Sequence, residues 1–181
     1  LVCDDPALAL RARQLRNQGI DPSSGRAIED RPGHSARLSE WHAAVGQVQL
    51  QRLPDSLRQR QALAAMYQAR LADDPRLQLP APAEAGQRLA WFTWPIRLVP
   101  ELAERRDALM QSLRAAGIGC NTYFPPVHQL PFHRGRHRQL ALPVSEDIGR
   151  RCLAVPLHGQ MGEREVERVC GALRRWLDCA R

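Results

Sequence analysis

The chain has 181 residues, 44% of them apolar, enough for one domain with a buried core or for one domain and part of another. Its formal charge is +7, but the arginines are spread over nearly every predicted helix among Glu and Asp, which describes a solvated basic surface rather than a nucleic-acid groove. No apolar run approaches the length of a membrane span and no signal-peptide pattern opens the chain, so a soluble cytoplasmic protein is expected.

Leu1-Val2-Cys3 lacks an initiator methionine and has the character of a buried strand's end, so the chain is expected to be the C-terminal part of a longer protein. Asp5-Pro6 starts a helix, a capping carboxylate followed by proline at the first helical position. Leu8, Ala12 and Leu15 share one face of it, and Gly19 closes it. Residues 20–32 are polar and turn-rich, with Asp21-Pro22-Ser23-Ser24-Gly25 as the clearest loop signal. Ser39 can cap a second helix on which Leu38, Trp41, Val45 and Val48 recur with helical period. Pro54-Asp55 is expected to restart the chain as a long polar helix lined on one side by Leu57, Ala64, Tyr67 and Leu71. Residues 79–86 form a linker rich in proline and alanine, and Leu89 to Leu98 is the best strand, with Pro95 arguing for an edge or a bulge.

A helix with Leu102, Leu109, Met110 and Leu113 inside then ends at Gly117. Ile118 to Phe124 can run extended, and Pro125-Pro126 stops both helix and sheet pairing, so a strand would deliver Tyr123 and His128 to a rigid turn. A phenol and an imidazole held there can bind a polar substrate or handle a proton; the plain alternative is a strand end with a surface histidine. A short helix begins near Pro143 with Ser145 as its cap, Cys152 to Leu157 is a short apolar run, and Val166, Val169, Cys170, Leu173 and Leu177 make the last helix amphipathic. Strands and helices alternating after residue 86 point to an α/β unit, a small sheet covered by helices.

Two absences bear on chemistry. All 26 basic residues are arginine, so no side chain here can form an internal Schiff base. The five cysteines (Cys3, Cys120, Cys152, Cys170, Cys179) have no zinc-type spacing and are expected to be reduced. His133 and His137 are four apart in a basic, loop-like stretch without a third ligand, which does not describe a metal site. Trp91 and Trp94 are expected in the core, and His158, after a Leu-Pro-Leu turn, is expected to be structural.

An ordered set of segments resembles the DegT/DnrJ/StrS sugar aminotransferases. It comprises Leu15-Arg16-Asn17-Gln18-Gly19, the segment Gly33 to Glu40, the helix Ala43 to Leu50, Gly117-Ile118-Gly119 with Tyr123 to His128, Leu142 to Glu146, and Leu153 to His158. The resemblance implies the C-terminal half of an aspartate-aminotransferase-like, fold type I pyridoxal-phosphate enzyme. Residues 1–54 would be a remnant of the large cofactor domain, and residues 55–181 the linking helix and small domain. The intact protein would be a homodimer moving an amino group, with glutamate as donor, to a keto sugar on a nucleotide diphosphate, in polysaccharide or secondary-metabolite synthesis. Ser35 stands where the family has the asparagine that reaches the cofactor phosphate, and Arg37 matches its motif arginine. Tyr123 and His128 match positions on the substrate side, with Asn121 and Thr122 as adjacent polar candidates. The loop departs from the family pattern at Ser35 and at Ala36, which replaces a usual aromatic. The Schiff-base lysine is absent, so this chain alone is expected to be inactive and to supply substrate contacts and dimer surface. Alternatives are a sugar dehydratase of the same family, with histidine in place of the lysine, and a stand-alone binding or regulatory module.

Overall fold

The computed structural model describes residues 2–26, 33–135 and 140–179 and resolves into two units, Leu1–Arg52 and Leu53–Arg181. In the first unit, helix α1 (Pro6–Arg16) begins as its sequence dictates: the Asp5 carboxylate accepts from the N–H groups of Ala7 and Leu8 at 2.8 and 3.2 Å, and Pro6 occupies the first turn. After the helix Gln18 and Gly19 both take left-handed backbone. Segment 33–36 clips onto this end: His34 N–H donates to the Leu15 carbonyl at 2.7 Å, Gln18 N–H to His34 at 3.1 Å, and Ala36 N–H to Arg16 at 3.0 Å. Asn17 and Ser35 pair as an isolated antiparallel bridge. Gly33 is required by this approach, since a Cβ there would overlap the Gly19 nitrogen. The expected loop is a tight turn over residues 21–26, in which Asp21 accepts from the Ser23 and Ser24 hydroxyls at 2.7 and 2.9 Å. These bonds, Ser23 first, hold the Asp21 carboxyl below its ordinary range. The rest of that predicted loop, 27–32, lies outside the described residues.

Helix α2 (Glu40–Leu71) follows Ser39, whose hydroxyl accepts from His42 N–H at 3.4 Å. The expected restart at Pro54 does not occur, and the helix runs through the proline. Proline deprives only the carbonyl one turn earlier of its donor, and a helix of 32 residues anchored by buried Leu63, Ala64, Tyr67 and Leu71 tolerates one missing bond.

The second unit is built on a three-stranded antiparallel sheet of order β1 (Leu77–Gln78), β2 (Trp94–Leu98), β3 (Cys152–Val155). Trp94, Ile96 and Leu98 alternate inward, opposite Val155, Leu153 and Leu77. Two sequence expectations change here. The strand begins at Trp94, because Trp91 already has φ of +45°. The strand carrying Pro95 is central, yet β1 pairs only with Arg97 and Leu98, so at Pro95 the sheet is locally an edge and the missing N–H leaves no ladder bond unmade.

The inward face is covered by the C-terminal part of α2, by α3 (Arg106–Ala115, after a 3-10 turn at Pro100–Arg105) and by α6 (Glu163–Cys179). α6 buries Val166, Val169, Cys170, Leu173 and Leu177, and α3 buries Leu109, Met110 and Leu113. The Tyr67 ring stacks on buried Trp94 at 5.6 Å, and its hydroxyl donates to the Pro156 carbonyl at 2.8 Å. Burial pushes the Tyr67 phenol well above its ordinary value. All five cysteines are free thiols, and burial raises that of Cys170 to about 11. Among the described residues no helix is long and apolar enough to cross a membrane.

α3 ends as the glycine predicts. Gly117 has φ of +71°, its N–H donates to the Arg114 carbonyl at 2.9 Å, and Ile118 N–H donates to Leu113 at 2.9 Å, with both apolar side chains buried. A Gly117→Ala variant should lose about 1–2 kcal/mol from the left-handed backbone alone. Denaturant unfolding should show a lower midpoint with unchanged slope.

Candidate functional site

The predicted strand from Ile118 to Phe124 shrinks to a single bridge, in which Asn121 exchanges both backbone hydrogen bonds with Ala154 at 3.2 and 2.8 Å. The chain then leaves the sheet, because Phe124 adopts φ of +62° and two prolines follow, which cannot donate to a ladder. A 3-10 turn over Val127–Gln129 carries His128, with the short helix α4 (Pro131–Arg134) directly after it, so the rigid turn exists without the strand expected to deliver it. Pro126 is locked against α5 (Pro143–Arg151), where a Cβ on Gly149 would come within 2.7 Å of the proline Cδ.

Between this segment and α5 lies a cleft of about 570 Å³. Tyr123 and His128 both line it, with Phe124, the two prolines, Leu142, Ile148 and Cys152 forming its largely apolar wall and His133 and Ser145 among its polar members. Asn121 is not on that wall; its side-chain oxygen accepts from Thr122 N–H at 2.9 Å.

The central polar contact joins His128 Nε2 to Glu146 Oε1 at 2.8 Å, and the same oxygen accepts from Leu142 N–H at 3.0 Å. The Leu142 donor first, and His128 second, hold the Glu146 carboxyl below the ordinary glutamate range. An ionised carboxylate only accepts, so the network assigns the hydrogen to Nε2 and leaves Nδ1 as the second functional atom of the ring. In the sequence Glu146 stands within a family-like segment, Leu142 to Glu146, with no role assigned to it. Its signal was a carboxylate one turn into a helix whose capping residue, Leu142, has no polar side chain. Ser145 is correspondingly not the cap, since it lies inside the first turn, and Glu146 satisfies the Leu142 N–H instead.

The remaining candidates sort simply. Trp94 is core, whereas Trp91 is half-buried, tilted against Trp94 at 4.9 Å, and donates from Nε1 to Gln61 at 2.8 Å. His158 is exposed and accepts from Gln160 N–H at 3.4 Å, closing a turn. Among the described residues no group of three His, Cys, Asp or Glu could hold a metal, and His137 and most of the basic stretch lie outside them. In the first unit, Ser35 and Arg37 are exposed and their side chains make no hydrogen bond to the described residues. A hydroxyl and a guanidinium two residues apart in non-helical backbone, both with donors to spare, suit a phosphate ester.

Two substitutions test this geometry. Glycine-to-alanine inside a helix ordinarily gains about 1 kcal/mol. Gly149→Ala should instead destabilise by roughly 1–3 kcal/mol through overpacking on Pro126, read by chemical denaturation. The depressed Glu146 carboxyl contributes stability that is full above the usual value of 4.5 and is lost as pH falls through its lower folded value. The stability difference between wild type and Glu146→Gln should therefore narrow below about pH 4.5, and a difference independent of pH would contradict the ionised contact.

Comparison with known proteins places this geometry. The model of the DegT/DnrJ/EryC1/StrS aminotransferase family matches residues 1–174. Among solved structures, DesV from S. venezuelae is 35% identical with a TM-score of 0.84, over 97% of this chain and 45% of its own. DesI, solved in the presence of its TDP-sugar product, is 29% identical with a TM-score of 0.81, over 99% and 46%. PseC from Helicobacter pylori, an aminotransferase involved in pseudoaminic acid biosynthesis, is 20% identical with a TM-score of 0.89, over 98% and 48%, a likeness of fold. The chain spans a little under half the length of these structures. Its α/β fold, a small antiparallel sheet covered by helices, is that of the C-terminal half of a fold type I aminotransferase. The chain belongs to the DegT/DnrJ/EryC1/StrS aminotransferase family.

Proposed function

We propose that this chain is the C-terminal portion of a pyridoxal-phosphate aminotransferase that transfers an amino group from glutamate to a nucleotide-linked keto sugar. The family match over residues 1–174 carries the reading, and the TDP-sugar product of DesI, a relative at 29% identity, supports the substrate class. Bound pyridoxal phosphate would carry the amino group between donor and acceptor and act as an electron sink. The primary amine that anchors it covalently must come from outside these residues, since none of them is lysine.

In this reading Ser35 and Arg37 hold the cofactor phosphate through a hydroxyl and a guanidinium. Tyr123 and His128 bind the nucleotide-linked substrate from the cleft, with Asn121 contributing from the neighbouring bridge. Glu146 fixes the imidazole so that Nδ1 meets the ligand in one orientation. The exposed apolar positions of the first unit, Leu38, Trp41, Val45 and Val48, support assembly as a homodimer.

The test uses the whole encoded protein with pyridoxal phosphate. Adding L-glutamate should change the cofactor spectrum and release 2-oxoglutarate, and a nucleotide-linked keto sugar should restore the spectrum. His128→Ala should lower kcat/KM for the sugar by about 10- to 100-fold, the loss of one hydrogen bond involving a charged group, and leave the glutamate half-reaction unchanged. A protein that binds the cofactor yet gives no change with any amino donor would overturn the reading.

A further inference from the structure

Beside the cleft three aromatic rings stand at the surface. Phe92 is 70% exposed and Phe124 72% exposed. Tyr123 lies between them, with ring centroids 6.1 Å from Phe92 at 67° and 5.0 Å from Phe124 at 48°. Large aromatic side chains contribute most when buried, and a cluster left open in this way marks a surface that meets something.

The backbone argues the same way. Among the described residues three non-glycine residues have positive φ, and two of them frame this cluster: Trp91 at +45°, directly before Phe92, and Phe124 itself at +62°. Phe124 also precedes Pro125, a position biased toward extended backbone. Strain of this kind persists where the surroundings over-determine it, and it collects at ligand-binding sites. Here its effect is to keep two phenyl rings at the surface.

We propose that Phe92, Tyr123 and Phe124 form a stacking platform for the nucleobase of the nucleotide-linked substrate. The proposal rests on the substrate class proposed above and assigns which part of that substrate this surface holds. The lining of the adjoining cleft selects the base over the sugar. Phe124, Pro125, Pro126, Val127, Leu142 and Ile148 offer apolar surface, whereas a polyhydroxylated ring requires a dense set of hydrogen-bonding side chains. A nucleobase presents a flat π-face and accepts stacking whatever its identity. The cleft's volume of about 570 Å³ lies within the range of small-molecule sites. His128 stands on the same wall, so a base on the platform leaves the imidazole for the more polar remainder of the ligand.

The test is calorimetric titration of the encoded protein, cofactor present, with dTDP, UDP, GDP and inorganic diphosphate. Phe92→Ala and Phe124→Ala should each weaken the nucleoside diphosphates roughly 5- to 100-fold, the range of one base–aromatic stack, and leave inorganic diphosphate unchanged. Phe92→Tyr and Phe124→Tyr should retain binding. Both positions are exposed, so the variants should fold. Phe124→Gly should keep or raise the thermal midpoint, because glycine accepts the left-handed backbone, while losing nucleotide affinity. Wild-type affinity unchanged in the alanine variants, or an equal loss for inorganic diphosphate, would overturn the platform and leave the nucleotide-sugar reading standing. A wild-type protein that binds cofactor and none of the nucleoside diphosphates would remove that reading, and the platform with it.

Discussion

The cleft depends on a buried guanidinium. Arg151, at the end of α5, has its side chain almost wholly out of water and satisfies it in three directions. It forms a two-pronged pair with Asp147 one turn back, donates to the Leu98 carbonyl at 2.7 Å, and reaches the Gln78 amide oxygen at 3.3 Å. A buried charge is costly unless its hydrogen bonds are completed, and seating α5 against the ends of β1 and β2 completes these. Asp147 is correspondingly held below the ordinary aspartate range, chiefly by the Arg151 hydrogen bonds. α5 in turn carries Glu146, Ile148 and Gly149 to the cleft wall. The orientation of His128 thus depends in part on an ion pair on another face of the same helix.

A similar economy holds on the far edge of the sheet. Asp74 is buried and takes a bidentate pair from Arg76, at 2.9 and 2.8 Å, while Arg76 also reaches Asp178 on α6 at 2.9 Å. The chain leaving α2 is thereby fixed to the last helix before β1 begins. Two arginine-centred networks position the short sheet, and the apolar stripe of α6 with Tyr67 and Trp94 fills the space between the layers. Arginine suits this role because its planar fork holds two carboxylate oxygens at once.

What the sequence made legible follows from the range of the forces involved. The Asp5 cap, the left-handed turn at Gly117, the stripe of α6 and the short strand after Arg151 are written in residues close to one another. Elements settled by distant partners were harder to read. Pro54 is a breaker by local rule, yet buried Leu63, Ala64, Tyr67 and Leu71 carry the helix through it. Residues 118–124 have strand character, but β3 is only four residues long and the chain leaves its free edge where Phe124 turns left-handed ahead of two prolines, so a single bridge is all that forms. In the site, Tyr123 and His128 were legible as residue types fixed by prolines. Glu146 was not, because its role comes from His128, 18 residues away in sequence. Phe92 and Phe124 were invisible for the opposite reason: an aromatic beside a strand is expected to be buried, and only the backbone angles show these two held at the surface.

The two units differ in what stabilises them. The second encloses a continuous apolar core, whereas the first buries only Gln14 and Gly19 among its described residues. Its shape is set by polar backbone contacts: the Asp5 cap, the clip of segment 33–36 onto α1, and the Asp21 turn. Such bonds contribute about 1 kcal/mol each, since water competes for the same groups, while each residue ordered costs at least as much in backbone entropy. A segment held in this way needs apolar burial from elsewhere. The faces available for it are the helical repeat at Trp41, Val45 and Val48, with Trp41 85% exposed, and the Leu8 and Leu15 side of α1. The buried Gln14 oxygen, without a partner among the described residues, belongs to the same pattern. Leu38, Trp41, Val45 and Val48 have the period of a packed helix in the sequence and stand exposed among the described residues, so in this unit local helical pattern and burial part company.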